Sequence, residues 1–238
     1  MYHLLRKQIV LLLSIVISIS VTAQQELNRP FHDDMPYYFG LTLNYNSSFL
    51  HASKSNYFLN NDSILSAYAG TTGGIGLGLL GTLKLNDNFQ LRFNPQLIIG
   101  ASRYFNYVLG LPVAGESINQ QKVLPTTLVS FPLHVKFNSD RIGNFRSYLL
   151  GGVKYDMDLA SNSSARNADD LIKLKAGDFG VEVGIGFNLF LPFVTLSPEI
   201  KYSLGITNLH QYDASLKYSN VFDKIQSRMI VFSLHFED

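Results

Sequence analysis

The sequence predicts an all-β fold: a closed, antiparallel, eight-stranded transmembrane β-barrel with short periplasmic turns and long external loops. Three observations predict it. The first residues read as an export signal, eight later segments alternate apolar with polar residues, and the ionisable residues in those segments avoid the apolar face.

Arg6 and Lys7 form a positive n-region, Ile9 to Val21 is apolar apart from serines, and Val21-Thr22-Ala23 offers small residues for cleavage. Residues 1–23 are therefore expected to be a signal peptide. The apolar run is about 13 residues long, short of the ~20 that a spanning helix needs. No cysteine occurs anywhere in the chain, which excludes a lipid-modified cysteine, thiolate catalysis and cysteine-based metal sites. Cleavage moves the formal charge from +1 to −1, because two of the 19 Lys and Arg residues leave and none of the 18 Asp and Glu do. A near-neutral chain carries no electrostatic footprint for nucleic acid.

After the signal no apolar stretch approaches 18 residues, so membrane crossing must rest on strands of about ten residues with alternating polarity. Residues 24–36 read as a polar periplasmic lead-in and residues 37–238 as the barrel domain. The first strand is Phe39 to Tyr45. The second, Ile75 to Leu85, sets Ile75, Leu77, Leu79 and Leu83 against Gly76, Gly78, Thr82 and Lys84. The third, Phe89 to Ala101, opposes Phe89, Leu91, Phe93 and Leu97 to Gln90, Arg92, Asn94 and Gln96. In the fourth, Leu124 to Phe137, Val129, Phe131, Leu133 and Val135 face away from Ser130, His134 and Lys136.

The fifth strand, Arg146 to Leu159, places Leu149, Val153, Tyr155 and Met157 opposite Arg146, Tyr148, Lys154, Asp156 and Asp158. The sixth, Phe179 to Leu189, alternates Phe179, Val181, Val183 and Ile185 with Gly180, Glu182, Gly184 and Gly186. The seventh, Val194 to Leu204, opposes Leu196, Ile200 and Tyr202 to Ser197, Glu199 and Lys201. The eighth, Met229 to Phe236, aligns Ile230, Phe232, Leu234 and Phe236. Such a terminal strand closing on an aromatic is what barrel-assembly machinery would read. Connections alternate between short (86–88, 138–144, 190–193) and long (46–73, 104–123, 160–178, 206–224), as in outer-membrane barrels, with both termini periplasmic.

Charge placement carries the most weight. Lys84, Arg92, Lys136, Arg146, Lys154, Asp156, Asp158, Glu182, Glu199 and Lys201 all fall opposite the apolar face. A Lys or Arg facing lipid at mid-bilayer costs roughly 2–4 kcal/mol, so a hydrocarbon-facing surface should exclude them. These ten are expected to form a structural network filling the lumen in matched pairs, because an unpaired buried charge is strongly unfavourable. Gly76, Gly78, Gly152, Gly184 and Gly186 would leave room for the long side chains. A soluble sandwich also leaves charges outside, so alternation alone does not separate the folds; the signal and the loop alternation favour the barrel.

Pro95, Pro132 and Pro198 fall inside predicted strands, where proline removes a ladder donor. Local bulges are expected there. Tyr37, Tyr38, Tyr104, Tyr107, Tyr148, Tyr155 and Tyr202 lie near strand ends in several cases, and some should form an interfacial girdle. Three motifs carry little. His32-Asp33-Asp34 could suggest a metal site but sits in the polar lead-in. His210, Asp213 and Ser215 hold the ingredients of acyl transfer without a nucleophile elbow or oxyanion glycine motif. The glycines of 73–78 resemble a nucleotide loop, yet no phosphate-binding Lys-Ser/Thr follows. No catalytic residue, cofactor, metal or small-molecule substrate is therefore expected.

Several segments resemble the PorT family: Arg29 to Tyr45, Leu91 to Leu97, Ser130 to Lys136, Tyr148 to Tyr155 and Ser197 to Tyr202. Together they span nearly all of the chain after the signal and include the three prolines. The resemblance implies an outer-membrane barrel of Bacteroidota associated with type IX secretion, which exports adhesins, proteases and gliding-motility proteins. It also implies partners among the secretion-system proteins, alongside outer-membrane lipid.

Overall fold

The computed structural model describes residues 26–59, 63–110, 112, 117–161, 172–212, 216 and 218–238. The expected signal peptide lies outside them. Eight staves form the wall: β1 (Tyr37–Lys54), β3 (Thr72–Lys84), the pair β4 (Phe89–Phe93) and β5 (Gln96–Ile99), β8 (Thr127–Asn138), β9 (Phe145–Asp158), β10 (Gly177–Phe190), β11 (Thr195–Gly205) and β12 (Phe222–Glu237). Every neighbouring pair is antiparallel, and β1 pairs with both β12 and β3, so the sheet closes. Facing rungs lead from Phe39 through Gly81, Phe93, Leu133, Val153, Val181, Leu204 and Arg228 back to β1 at Phe49. Returning higher on the same strand is the stagger that tilts the strands of a barrel.

Each strand turns one residue set outward and the other inward. Leu77, Val183 and Ile185 are exposed, while the neighbouring Glu182 is buried. The exterior is graded. Rings gather at the periplasmic end, where Phe89 lies 5.1 Å from Phe137 and Phe145 lies 5.5 Å from Phe187. The outward tyrosines Tyr45, Tyr155 and Tyr202 sit in the outer half, with Tyr37 at the periplasmic edge. Tyr38 and Tyr148 point into the lumen and Tyr107 into an external core, so these three form no part of a girdle. Arg228 is a charge on the outward face; it lies opposite Phe49 and Leu204, where β12 leaves the apolar band.

The prolines produce no bulge. β4 and β5 keep one register against β3 and one against β8 on both sides of Pro95, and Pro132 and Pro198 sit within unbroken pairings to β9 and β12. Each proline carbonyl can still accept: Leu79 N–H donates to Pro95 O at 3.0 Å, and Asn94 N–H to Pro132 O at 3.3 Å. Losing one donor interrupts the ladder locally without inserting a residue, so the inward and outward phases survive.

The long external connections hold a feature that their composition concealed. β2 (Ile64–Ala69), β6 (Arg103–Leu109) and β7 (Asn119–Leu124) form a second, three-stranded sheet. Its β2–β6 rungs, such as Ala69 with Phe105, continue the register of β3 and β5, such as Ile75 with Ile99. The wall therefore extends past the membrane and bends inward. Gly100, at φ 85°, supplies the bend and reverses the phase, so that Ile98 before it and Phe105 and Tyr107 after it are all buried. The folded extension packs Phe105, Tyr107 and Leu109 against Leu50, Leu174, Leu209, Phe222 and Ile225.

Inward glycines make the lumen possible. A Cβ on Gly186 would come within 2.4 Å of the Tyr148 ring, and one on Gly152 within 2.1 Å of the Leu133 carbonyl oxygen. Gly186→Ala is expected to cost about 1–3 kcal/mol through overpacking, read as a lower urea midpoint for the barrel in lipid vesicles. A wild-type midpoint would show that Tyr148 moves aside freely.

Candidate functional site

The lumen gathers ionisable residues from most of the wall strands, and they lie in layers. In the lower layer Arg92 spans two carboxylates: Nη1 lies 2.9 Å from Glu199 Oε2 and Nη2 lies 2.8 Å from Glu237 Oε1. Glu199 also meets Lys201 Nζ at 3.2 Å and His235 Nε2 at 3.3 Å, and accepts from Tyr148 Oη at 2.8 Å. Lys136 donates to Asn188 Oδ1 at 3.1 Å and lies 3.9 Å from the centre of the Tyr148 ring. Higher up, His134 Nε2 contacts Glu182 Oε2 at 2.7 Å. Lys154 meets Asp156 at 2.5 Å, and Ser130 donates to the same carboxylate.

Of the ten residues singled out from the sequence, seven lie in this buried stack: Arg92, Lys136, Lys154, Asp156, Glu182, Glu199 and Lys201. Three lie at the mouths. Lys84 pairs with Asp87 at 2.9 Å, Arg146 pairs with Asp33 at 2.9 Å, and Asp158 accepts from the backbone N–H groups of Thr127 and Ala160. The pairing is not one to one: Glu199 serves two cations and a histidine, while Lys136 is held by an amide oxygen and a π face. Glu237, His235 and Asp178 also face inward, and Ser227 hydrogen-bonds Asp178. Glu237 was legible by phase, since it follows Ser233 and His235 on the side opposite Phe236.

Both mouths are closed by the described residues. At the periplasmic end the lead-in forms a 3-10 turn, Pro30–Asp34, seated against the rim. His32 is buried, with its ring 4.8 Å from Tyr38 and 5.5 Å from Phe190. Burial and the neighbouring Arg29 hold its imidazole below the usual histidine range, and so neutral. Arg29 donates to Glu237 O at 2.9 Å and to Thr195 Oγ1 at 3.1 Å. Asp33 bridges Arg141 at 3.2 Å and Arg146, and its carbonyl accepts from Lys84 Nζ at 2.6 Å. The lead-in is thus a latched plug. Of its His32-Asp33-Asp34 run, His32 is committed to ring packing, Asp33 to ion pairs, and Asp34 is exposed; no metal-ligand group occurs among the described residues.

At the outer end the folded sheet and its apolar core cover the lumen. Arg103, buried at this junction, interacts with Asp156, Asp158 and Asp178 below it. His210 is also buried; its Nε2 lies 2.9 Å from Ser219 Oγ, and burial lowers its affinity for a proton. Ser219 is fully buried, so the pair is a packing contact inside the cap. Asp213 and Ser215 lie outside the described residues. The glycines of 73–78 are part of β3.

Residues 103–211 match a family model described as an outer membrane protein beta-barrel domain. Among solved structures, the chain is similar to the outer membrane protein OprG from Pseudomonas aeruginosa, with 16% identity over 83% of this chain and 94% of that one, at a TM-score of 0.47. It is similar to Neisserial surface protein A at 14% identity, covering 83% and 96%, with a TM-score of 0.41. Ail of Yersinia pestis follows at 11% identity, covering 86% and 100%, with a TM-score of 0.36. No curated protein sequence matches significantly. The apolar exterior, the closed ring and the domain match together make the chain an eight-stranded antiparallel β-barrel of the outer membrane.

Proposed function

We propose that this barrel is a non-enzymatic accessory component of type IX protein secretion, as its resemblance to PorT proteins implies. The observation that carries the reading is the state of the lumen. Arg92, Lys136, Lys154 and Lys201 are almost wholly buried within it, under a folded cap and above a latched plug. An interior of eight strands is just wide enough for side chains, so this one has no room for a folded cargo. What the protein offers a partner is its surface: the cap outside, and the plug and turns on the periplasmic side. Secretion-system proteins are the proposed partners there. The last strand, with Ile230, Phe232, Leu234 and Phe236 outward, is the proposed signal for barrel-assembly machinery.

Deletion of the gene tests this. Loss of type IX cargo from the culture fluid, with loss of gliding, is expected and should be restored by the wild-type gene. Secretion that continues undiminished would defeat the reading. A generic barrel for envelope integrity or surface adhesion is the second reading. It is favoured by Leu65, Tyr68, Ile118 and Val123, exposed on and beside the outer sheet. Intact secretion with impaired adhesion or detergent resistance would select it.

A further inference from the structure

The outward faces of β1 and β12 change character where they leave the hydrocarbon. On β12, Phe236, Leu234, Phe232 and Ile230 give way to Arg228, Gln226 and Lys224. On β1, Tyr45 gives way to Ser47, Phe49, His51 and Ser53. The two strands are hydrogen-bonded neighbours, with Phe49 opposite Arg228, His51 opposite Gln226 and Ser53 opposite Lys224. Directly facing side chains sit about 5 Å apart in such a ladder, and diagonal ones about 7–8 Å. Arg228, Lys224 and His51 therefore share one outward face, with Lys224 four residues beyond Arg228 along β12. Leu204 and Ile206 border it on the β11 side.

Inside the barrel and at its periplasmic rim, Arg92, Lys154, Lys201, Arg141 and Arg146 all meet carboxylates. Lys54, opposite the buried Phe222, lies 4.4 Å from the centre of the Phe58 ring on the cap side, whereas Arg228 and Lys224 have no side-chain partner among the described residues. The one acidic residue in this stretch is Asp223, exposed at the register shift beside Lys224. Gln226 spends its amide on the carbonyls of Gly205 and Ile206, which ties β12 to the end of β11 and leaves the cations facing outward. Two permanent cations and one carboxylate stand where headgroups replace acyl chains, directly above an apolar wall.

We propose that Arg228 and Lys224, with His51 beside them, bind the phosphorylated headgroup of an outer-leaflet lipid whose acyl chains lie along Ile230, Phe232 and Leu204. Both halves of the site are needed for that ligand. The guanidinium and ammonium groups meet the phosphate charge, and the wall beneath them takes the hydrocarbon. Basic residues at a membrane surface contribute about 1 kcal/mol each toward an anionic lipid. Removing two should weaken binding by a factor on the order of thirty, reduced where salt screens the patch.

The test titrates the full refolded chain, in phosphatidylcholine nanodiscs, with phosphorylated lipid A and separately with its dephosphorylated form. Wild-type protein should prefer the phosphorylated lipid by at least about tenfold at low salt, and the preference should fall as salt rises. K224Q/R228Q should lose that preference, whereas K224R/R228K should keep it. Heat-modified gel mobility identifies folded protein in each preparation. Equal binding of both lipids by the wild type, or an undiminished preference in the glutamine variant, would overturn the proposal. Millimolar inorganic phosphate should displace the lipid only in part, since the acyl contacts remain. Complete displacement would assign the patch to free phosphate and overturn the lipid assignment.

Discussion

Replacing Glu199 with alanine should destabilise the barrel by about 3–5 kcal/mol, the cost of breaking a buried ion pair by removing one partner. Glu199 is the node of the lower layer, in contact with Arg92, Lys201, His235 and Tyr148. Arg92 retains Glu237 at 2.8 Å after the substitution, but Lys201 loses the carboxylate it touches and remains buried. Urea titration in lipid vesicles, followed by heat-modified gel mobility, measures the loss. Glu199→Gln keeps the side chain's volume and an acceptor for Tyr148 while removing the charge, so it should fall between wild type and alanine. If both variants unfold at the wild-type midpoint, the lumen network contributes nothing to stability. Lys84→Ala at the periplasmic mouth removes an ion pair to the almost fully solvated Asp87 and one hydrogen bond to the Asp33 carbonyl, so a smaller loss of about 1 kcal/mol is expected.

The barrel was legible because its strands obey a single rule, in which the residue after an outward one faces in. That rule places Glu182 in the lumen and Val183 in the membrane with no knowledge of neighbouring strands. It fails where the chain bends. The phase reversal at Gly100 and the inward fold of β2, β6 and β7 depend on one positive φ and on contacts with Leu174, Leu209 and Phe222. These residues are far apart in sequence and carry no shared period. The plug was illegible for a related reason. Asn28, Arg29, His32 and Asp33 are polar, as a solvated leader would be, and only the rim formed by Arg141, Asn144, Arg146 and Phe190 shows that they are docked. Within the lumen, sequence identified the inward charges but not their partners. Whether Arg92 meets Glu199 or Glu182 depends on the stagger of the barrel, which is set by closure and not by any one strand.

A depth series on the exterior separates a membrane wall from a solvated one. Val183 lies near the middle of β10 with its side chain outward, so Val183→Arg should cost about 2–4 kcal/mol in a bilayer. Ile230 points the same way but stands next in phase to Arg228, where the native chain already carries a guanidinium at the outer edge. Ile230→Arg should therefore cost far less, roughly 0–1 kcal/mol as at an interface, because its side chain can extend to the headgroups. Unfolding midpoints in vesicles give both values. The ordering carries the physical content: hydrocarbon penalises charge according to depth, whereas water penalises neither position. No cost at either position would mean that the outward face never meets the bilayer core, and the apolar exterior would then need another explanation; equal costs of about 2–4 kcal/mol would place Ile230 in the hydrocarbon with Val183.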